Sequence, residues 1–324
     1  MRAARVTALD GPASVRVDDV EAPTVAPGHV LVDVHEAGVA FPDVLLTRGL
    51  YQMRPDPPFT PGAECAGVVS AVAEGSAFSV GDRVAAFPVL GAFAEQVLVP
   101  EALAFPLPDS VSFVAGAALP MNYLTVHFAL TQRGRLERGE TVLVHGAAGG
   151  IGTAAIQLAR AMDARVVAVV SSEEKGAVAR AAGAHHVVPA DGFLEATREL
   201  TRGRGVDVVV DPVGGDRFTD SIRALAPEGR VLVIGFTAGS IPEVKVNRLL
   251  LNNVSVVGVG WGAFWQKRPE FVRTQWDALQ PLLQRGLLNP PIGSRHALDD
   301  VAAALAEIDE RRATGKVTIT VRGS

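Results

Sequence analysis

Alternating apolar and polar positions dominate the first hundred or so residues. HVLVDVHEAGV from His29, AECAGVVSAV from Ala63, GDRVAAF from Gly81 and AEQVLVP from Ala94 each read as a short strand bounded by turn residues. That spacing predicts a small, barrel-like β domain. From Leu136 the pattern changes to continuous apolar runs, TVLVHG, ARVVAVV, HHVV, VDVVVD, RVLVIG and VSVVGV, separated by alanine-rich helical stretches or loops. Strands apolar on both faces belong to a parallel sheet covered by helices on both sides, and six of them suit a doubly wound sheet. The pattern stops after Trp261. A helical stretch then runs from about Pro269 to Arg285, another begins near Leu298, and KVTITV from Lys316 is a last strand, together a return to the first domain. The expected fold class is α/β: a six-stranded, doubly wound parallel sheet plus a mainly β domain, divided as residues 1–122, 123–263 and 264–324.

TVLVHG runs straight into AAGGIGTAAIQLARAM, which places Ala147, Gly149 and Gly152 at the three glycine positions of a dinucleotide fingerprint, with alanine at the first. The segment Ala147, Ala148, Gly149, Gly150, Ile151 and Gly152 is the candidate pyrophosphate cradle, because a helix opening on glycines offers N–H groups and the positive dipole end to phosphate. An ordinary strand-to-helix connection is the alternative for such a turn alone. At the end of the second strand, where NAD proteins carry an acid for the ribose hydroxyl, this chain has Ser171 and Ser172, with Lys175 close behind. Two hydroxyls and an ammonium suit a 2′-phosphate, so NADPH is favoured over NADH. The competing reading makes Ser172 a helix cap, Glu173 and Glu174 dipole-favoured acids with reach to a ribose, and Lys175 a solvated charge. Val213 and Gly214 follow the fourth strand and Gly235 and Phe236 the fifth, both at the carboxyl edge where cofactors bind.

Composition narrows the chemistry. With 48% hydrophobic residues over 324 positions the chain can bury a large core, and its single cysteine, Cys65, excludes an intrachain disulfide and any cysteine-rich metal lobe. Thirty Lys and Arg against 35 Asp and Glu give a formal net charge of -5 without a dense basic run, which disfavours nucleic acid and anionic membrane as partners. No apolar stretch is long enough to span a bilayer, so a cytoplasmic protein is expected.

These motifs together with GVAFPDVLLTRGLY from Gly38, PGAECAGVV from Pro61, PMNYLTVHFAL from Pro120, VDPVGG from Val210 and WGAF from Trp261 resemble the zinc-independent medium-chain dehydrogenase/reductases, specifically the NADPH:quinone oxidoreductase group. The resemblance spans essentially the whole chain and implies a GroES-like catalytic domain beside a Rossmann domain. Zinc alcohol dehydrogenases of that superfamily carry Cys-x-x-Asp and Gly-His-Glu segments; here these read Ala40-Phe41-Pro42-Asp43 and Gly62-Ala63-Glu64, so no catalytic metal is expected. His145 is read as supporting its strand, and Asp43 as fixing its loop. By resemblance Thr125 lies beside the nicotinamide with Asn122 and Tyr123 nearby, and Arg312 adds a charge for the cofactor in place of the family's tyrosine, where this chain has Pro189 or Ala190. Phe41 is a candidate substrate contact, and by resemblance quinone reductases often have asparagine where Ala40 stands, near the nicotinamide.

Without zinc, the acceptor must be electrophilic already, which fits quinones and conjugated carbonyls needing only a hydrogen-bond donor and a proton. Tyr51 is the preferred donor, with aromatic core packing the alternative; Trp261 and Phe264 cover the substrate or cofactor, or else pack between domains. The alternatives to a quinone reductase are an enone, alkenal or enoyl-thioester reductase, for which Arg48 and Arg54 are the candidate basic rim, and a non-catalytic NADPH-binding sensor. The family and the apolar strand VSVVGVG suggest a homodimer.

Overall fold

The computed structural model describes residues 1–322, which divide into two units. The chain begins in unit 1 with β1 (Arg2–Val6), β2 (Val15–Asp19), β3 (His29–Val39), helix α1 (Phe41–Thr47), β4 (Glu64–Val72), β5 (Arg83–Ala86), β6 (Gln96–Pro100), β7 (Ala104–Pro106) and α2 (Phe113–Gly116). Helix α3 (Pro120–His127) leads into unit 2, which carries β8 (Thr141–Val144), α4 (Gly150–Ala161), β9 (Arg165–Val170), α5 (Glu173–Ala181), β10 (His186–Pro189), α6 (Phe193–Leu200), β11 (Val206–Asp211), α7 (Phe218–Arg223), β12 (Leu225–Val233), α8 (Asn247–Asn252), β13 (Ser255–Gly258) and α9 (Trp261–Trp265). Unit 1 is completed by α10 (Glu270–Gln284), β14 (Ile292–Ala297), α11 (Val301–Asp309) and β15 (Lys316–Thr320).

In unit 2 the six strands lie in the order β10-β9-β8-β11-β12-β13, all parallel, so the strand order reverses between β8 and β11. This is the doubly wound sheet that the apolar runs predict. Leu143, Val167, Val169, Val209 and Val231 are buried with Phe193, Phe218 and Ile222 of the covering helices, the burial that makes parallel strands read as unbroken apolar runs. Three residues beyond α10, Leu287–Asn289, also belong to this unit: Gln157 of α4 donates to Asn289 O at 2.7 Å and accepts its N–H at 2.9 Å.

Unit 1 is built on the eleven-residue β3, which pairs antiparallel with β4, β6 and β15 in a seven-stranded sheet, while β14 adds in parallel to β15. Four strands lie outside the sequence reading: the β1–β2 hairpin, β7 and β14. Behind the sheet, Trp276 of α10 is fully buried, stacks on Phe105 at 4.8 Å between ring centres, and donates from Nε1 to Pro106 O at 3.2 Å.

Trp276→Ala removes that ring and its hydrogen bond, and is expected to lower unfolding free energy by roughly 3–5 kcal/mol. Denaturant unfolding followed by circular dichroism measures this; a loss below about 1 kcal/mol would show that the site collapses to fill the cavity.

Candidate functional site

Apart from Arg312, every residue that the sequence assigns to the nucleotide falls in unit 2, after the carboxyl ends of its strands. β8 turns through His145–Gly149 into α4, whose N-cap is Gly149. A glycine cap has no side chain to accept from the first helical turn, so N–H groups with no acceptor inside the helix remain for a ligand at the positive dipole end. The left-handed residue of the turn is Gly146, φ 57°, one position before the fingerprint begins. Ala147 is therefore unstrained; it is fully buried and its N–H donates to Val169 O at 3.3 Å. Gly152 is required by close approach, since a Cβ there would run into the Gly146 carbonyl, while Gly150 is met from the other side by the amide of Asn122. Gly149 differs: the one neighbour within contact of an added Cβ is Gly146 O at 3.5 Å, so the protein itself leaves that space open.

Ser171 directly follows β9 and is exposed. Ser172 caps α5, its hydroxyl oxygen accepting from Lys175 N–H at 3.3 Å. The capping reading and the donor reading are compatible, because a hydroxyl that accepts keeps its own proton to donate. Glu173 pairs with Arg180 at 2.6 Å, which holds its carboxyl below the usual range and offsets its charge beside the serines.

At the far side of the strand-order reversal, Asp211 Oδ1 accepts N–H groups from Val213 at 2.8 Å and Gly214 at 2.9 Å. Thr237 and Ala238 donate to the carbonyls of Pro212 and Val213 at 3.1 and 2.9 Å, so the turns after β11 and β12 are tied together. Phe236 stands beside Gly214 and is 36% exposed at this edge. His145 supports the strand as expected: its Nε2 lies 2.8 Å from Ser221 Oγ, and burial drives its pKa down to about 4, leaving it neutral.

Asn122 and Thr125 sit about one helical turn apart on one side of α3, 6% and 9% exposed. Tyr123 is on another side and belongs to the core, its hydroxyl donating to Gln157 Oε1 at 2.7 Å. Trp261 is 4% exposed, with its ring 6.0 Å from Trp265, and Phe264 packs on Phe128 at 4.8 Å within the same unit.

In unit 1, Phe41 opens α1 and Tyr51 lies past its end, both partly exposed. Burial, with the nearby Asp43 charge, raises the Tyr51 pKa, so its hydroxyl is protonated at neutral pH and available as a donor. Arg48 is committed elsewhere, bonding both oxygens of Asp309 at 2.7 and 2.6 Å. Arg312 pairs with Glu310 at 2.6 Å, both side chains 58% exposed.

Two family models match the chain: "Alcohol dehydrogenase GroES-like domain" over residues 26–109 and "Zinc-binding dehydrogenase" over residues 150–277. Quinone oxidoreductase-like protein 2 of Rattus norvegicus is 40% identical over 99% of this chain and 92% of its own length. The chain belongs to the quinone oxidoreductase group of the medium-chain dehydrogenase/reductases. A probable oxidoreductase from Mycobacterium abscessus is 43% identical with a TM-score of 0.91, covering 99% of each chain. The quinone oxidoreductase of Thermus thermophilus, solved also in complex with NADPH, is 34% identical with a TM-score of 0.86, covering 99% of this chain and 100% of its own.

Ala40 and Ala63, the residues read against the Cys and His of zinc alcohol dehydrogenases, bear only methyl groups and are 6% and 3% exposed. Among the described residues no cluster of three His, Cys, Asp or Glu side chains is placed to hold a metal ion. Sequence reasoning missed Asp211, whose role as a turn clamp shows only once the N–H groups of Val213 and Gly214 are seen to converge on it, and the packing of Asn122 on Gly150. An acid at the end of a buried strand, followed by Gly-Gly, was the available signal for the first.

The two glycines of the turn separate fold from ligand. Gly152→Ala is expected to lower the unfolding midpoint markedly. Gly149→Ala should leave it within about 0.5 kcal/mol of wild type while weakening NADPH binding at least about tenfold, since a methyl intrudes where phosphate would approach. Parallel thermal melts and fluorescence titrations check this; equal affinity for NADPH in wild type and Gly149→Ala would reject the cradle.

Proposed function

We propose that the protein is a zinc-independent, NADPH-dependent reductase of quinones or related conjugated carbonyls. The observation that carries this reading is the uncapped start of α4 with space kept at Gly149, next to an exposed pair of serine hydroxyls where an acid would repel a 2′-phosphate. The residues fit the cofactor. First-turn N–H groups of Gly150, Ile151 and Gly152, beside Ala147 and Ala148, hold the diphosphate, and Ser171, Ser172 and Lys175 hold the 2′-phosphate. The turns at Val213–Gly214 and Gly235–Phe236 flank the nucleotide, and Asn122 and Thr125 orient the nicotinamide.

Bound NADPH supplies the hydride; the remaining work is done by side chains. Tyr51, protonated at neutral pH, donates a hydrogen bond to the acceptor oxygen as negative charge develops there, and solvent supplies the one proton that, with the hydride, completes the hydroquinone. Phe41 contributes apolar surface to the acceptor site. The methyl groups of Ala40 and Ala63 provide no Lewis acid, which restricts turnover to acceptors that already delocalise charge. A partner copy is inferred from β13, the unpaired edge of the unit 2 sheet, together with Ile241, Val246, Leu250 and Leu251, 74–77% exposed on the same unit. No helix among the described residues is long and apolar enough to cross a membrane.

Purified protein is expected to oxidise NADPH with a benzoquinone and to be slow with a simple ketone; turnover of an enoyl thioester alone would replace the proposed acceptor, and binding without oxidation across a broad panel would identify a sensor. Lys175→Ala should weaken NADPH by about tenfold and NADH by less than about twofold, with equal losses rejecting the phosphate contact. Sedimentation at micromolar concentration should give a dimer, and a monomer would reject the edge pairing.

A further inference from the structure

Unit 1 buries three carboxylates, Glu36, Asp43 and Glu64, and one ammonium, none of which takes part in the hydride and proton transfers described above; the last two carboxylates and the ammonium interact. Lys316 of β15 pairs with Glu64 of β4, the two side chains 4% and 0% exposed. The second Glu64 oxygen accepts from Met121 N–H at 2.8 Å, so this carboxylate is fully engaged. Asp43 in α1 is 0% exposed; its Oδ2 accepts from Ala40 N–H at 2.8 Å and its Oδ1 from Gly62 N–H at 3.3 Å. One side chain therefore bridges the segment that presents Phe41 and the segment that presents Ala63.

Lys316 is committed to Glu64, so ionising Asp43 leaves one buried negative charge held by two backbone donors and distant attraction. From β15 the Lys316 ammonium favours that charge, from β4 the Glu64 carboxylate opposes it, and Tyr51 beyond α1 feels it. Burial is the largest influence and pushes the Asp43 pKa up to about 7. When the carboxyl is protonated, one oxygen carries a hydrogen and faces an N–H donor poorly, and the longer bond, to Gly62, is the one that loosens.

We propose that Asp43 is a positioning residue for the acceptor site, its ionised carboxylate fixing Phe41 relative to Ala63 and its protonation relaxing them, so that acceptor affinity follows the charge state of Asp43. This rests on the reading that unit 1 receives the acceptor.

The test is the pH dependence of steady-state reduction of a benzoquinone between pH 6 and 8, for wild type and Asp43→Asn, with the Gly62 amide followed by NMR. In wild type KM should fall about five- to tenfold as pH rises through 7, with kcat changing less than about twofold and NADPH affinity unchanged. The Gly62 amide resonance should titrate over the same range. Asp43→Asn should give a flat KM near the wild-type low-pH value and a Gly62 resonance that does not move. A KM inflection that survives in Asp43→Asn overturns the proposal. Should that variant not fold, a wild-type Gly62 resonance without a midpoint between pH 6 and 8 overturns it instead. Failure of the reductase reading is seen separately, as no oxidation of NADPH by any acceptor while Gly62 still titrates.

Discussion

The contact on which unit 2 depends is the approach of the α4 backbone to the Gly146 carbonyl, possible because Gly152 carries no side chain. It brings the helix axis onto the end of β8 and so sets where the dipole points. Asn122 packing on Gly150 and the buried Ala147 depend on the same turn geometry, and Thr125 follows Asn122 about one turn later on α3. On the other side of the strand-order reversal, Asp211 gathers the N–H groups of the next turn. The surface at this sheet edge is thus made mainly of backbone, which tolerates side-chain drift so long as the chain's path is kept.

Unit 1 keeps an ordered frame around Ala40 and Ala63, neither of which bears a ligating side chain. The methyl groups of Ala40 and Ala63 replace the ligands, yet the segments that bear them are still cross-tied by Asp43 and anchored by the Glu64–Lys316 pair. Removing the metal removes the capacity to polarise an unactivated carbonyl. The frame itself remains.

The parallel sheet was legible because strands buried on both faces leave unbroken apolar runs, and each of the six runs from TVLVHG to VSVVGV became a strand in the expected sheet. The turn between β8 and α4 was legible because glycines mark backbone geometry directly. β14 was not: IGSRHA has too few apolar residues to signal a strand, and its place is set by β15 beside it. The role of Tyr123 was hidden for a similar reason, since its partner Gln157 lies 34 residues on and nothing local shows which side of α3 faces inward. The bond from Lys316 to Glu64 spans 252 residues, beyond any pattern of spacing.

That last separation has a bearing on biosynthesis. Unit 1 is discontinuous: its first 121 residues leave the ribosome well before α10 and β15 are made, whereas nearly all of unit 2 is contiguous. A nascent chain can thus complete the Rossmann sheet while the earlier β segment still lacks Trp276 for its core and a cation for Glu64. Until Lys316 is made, that carboxylate stays without its counter-ion, so this part of the unit 1 core can close only late in synthesis.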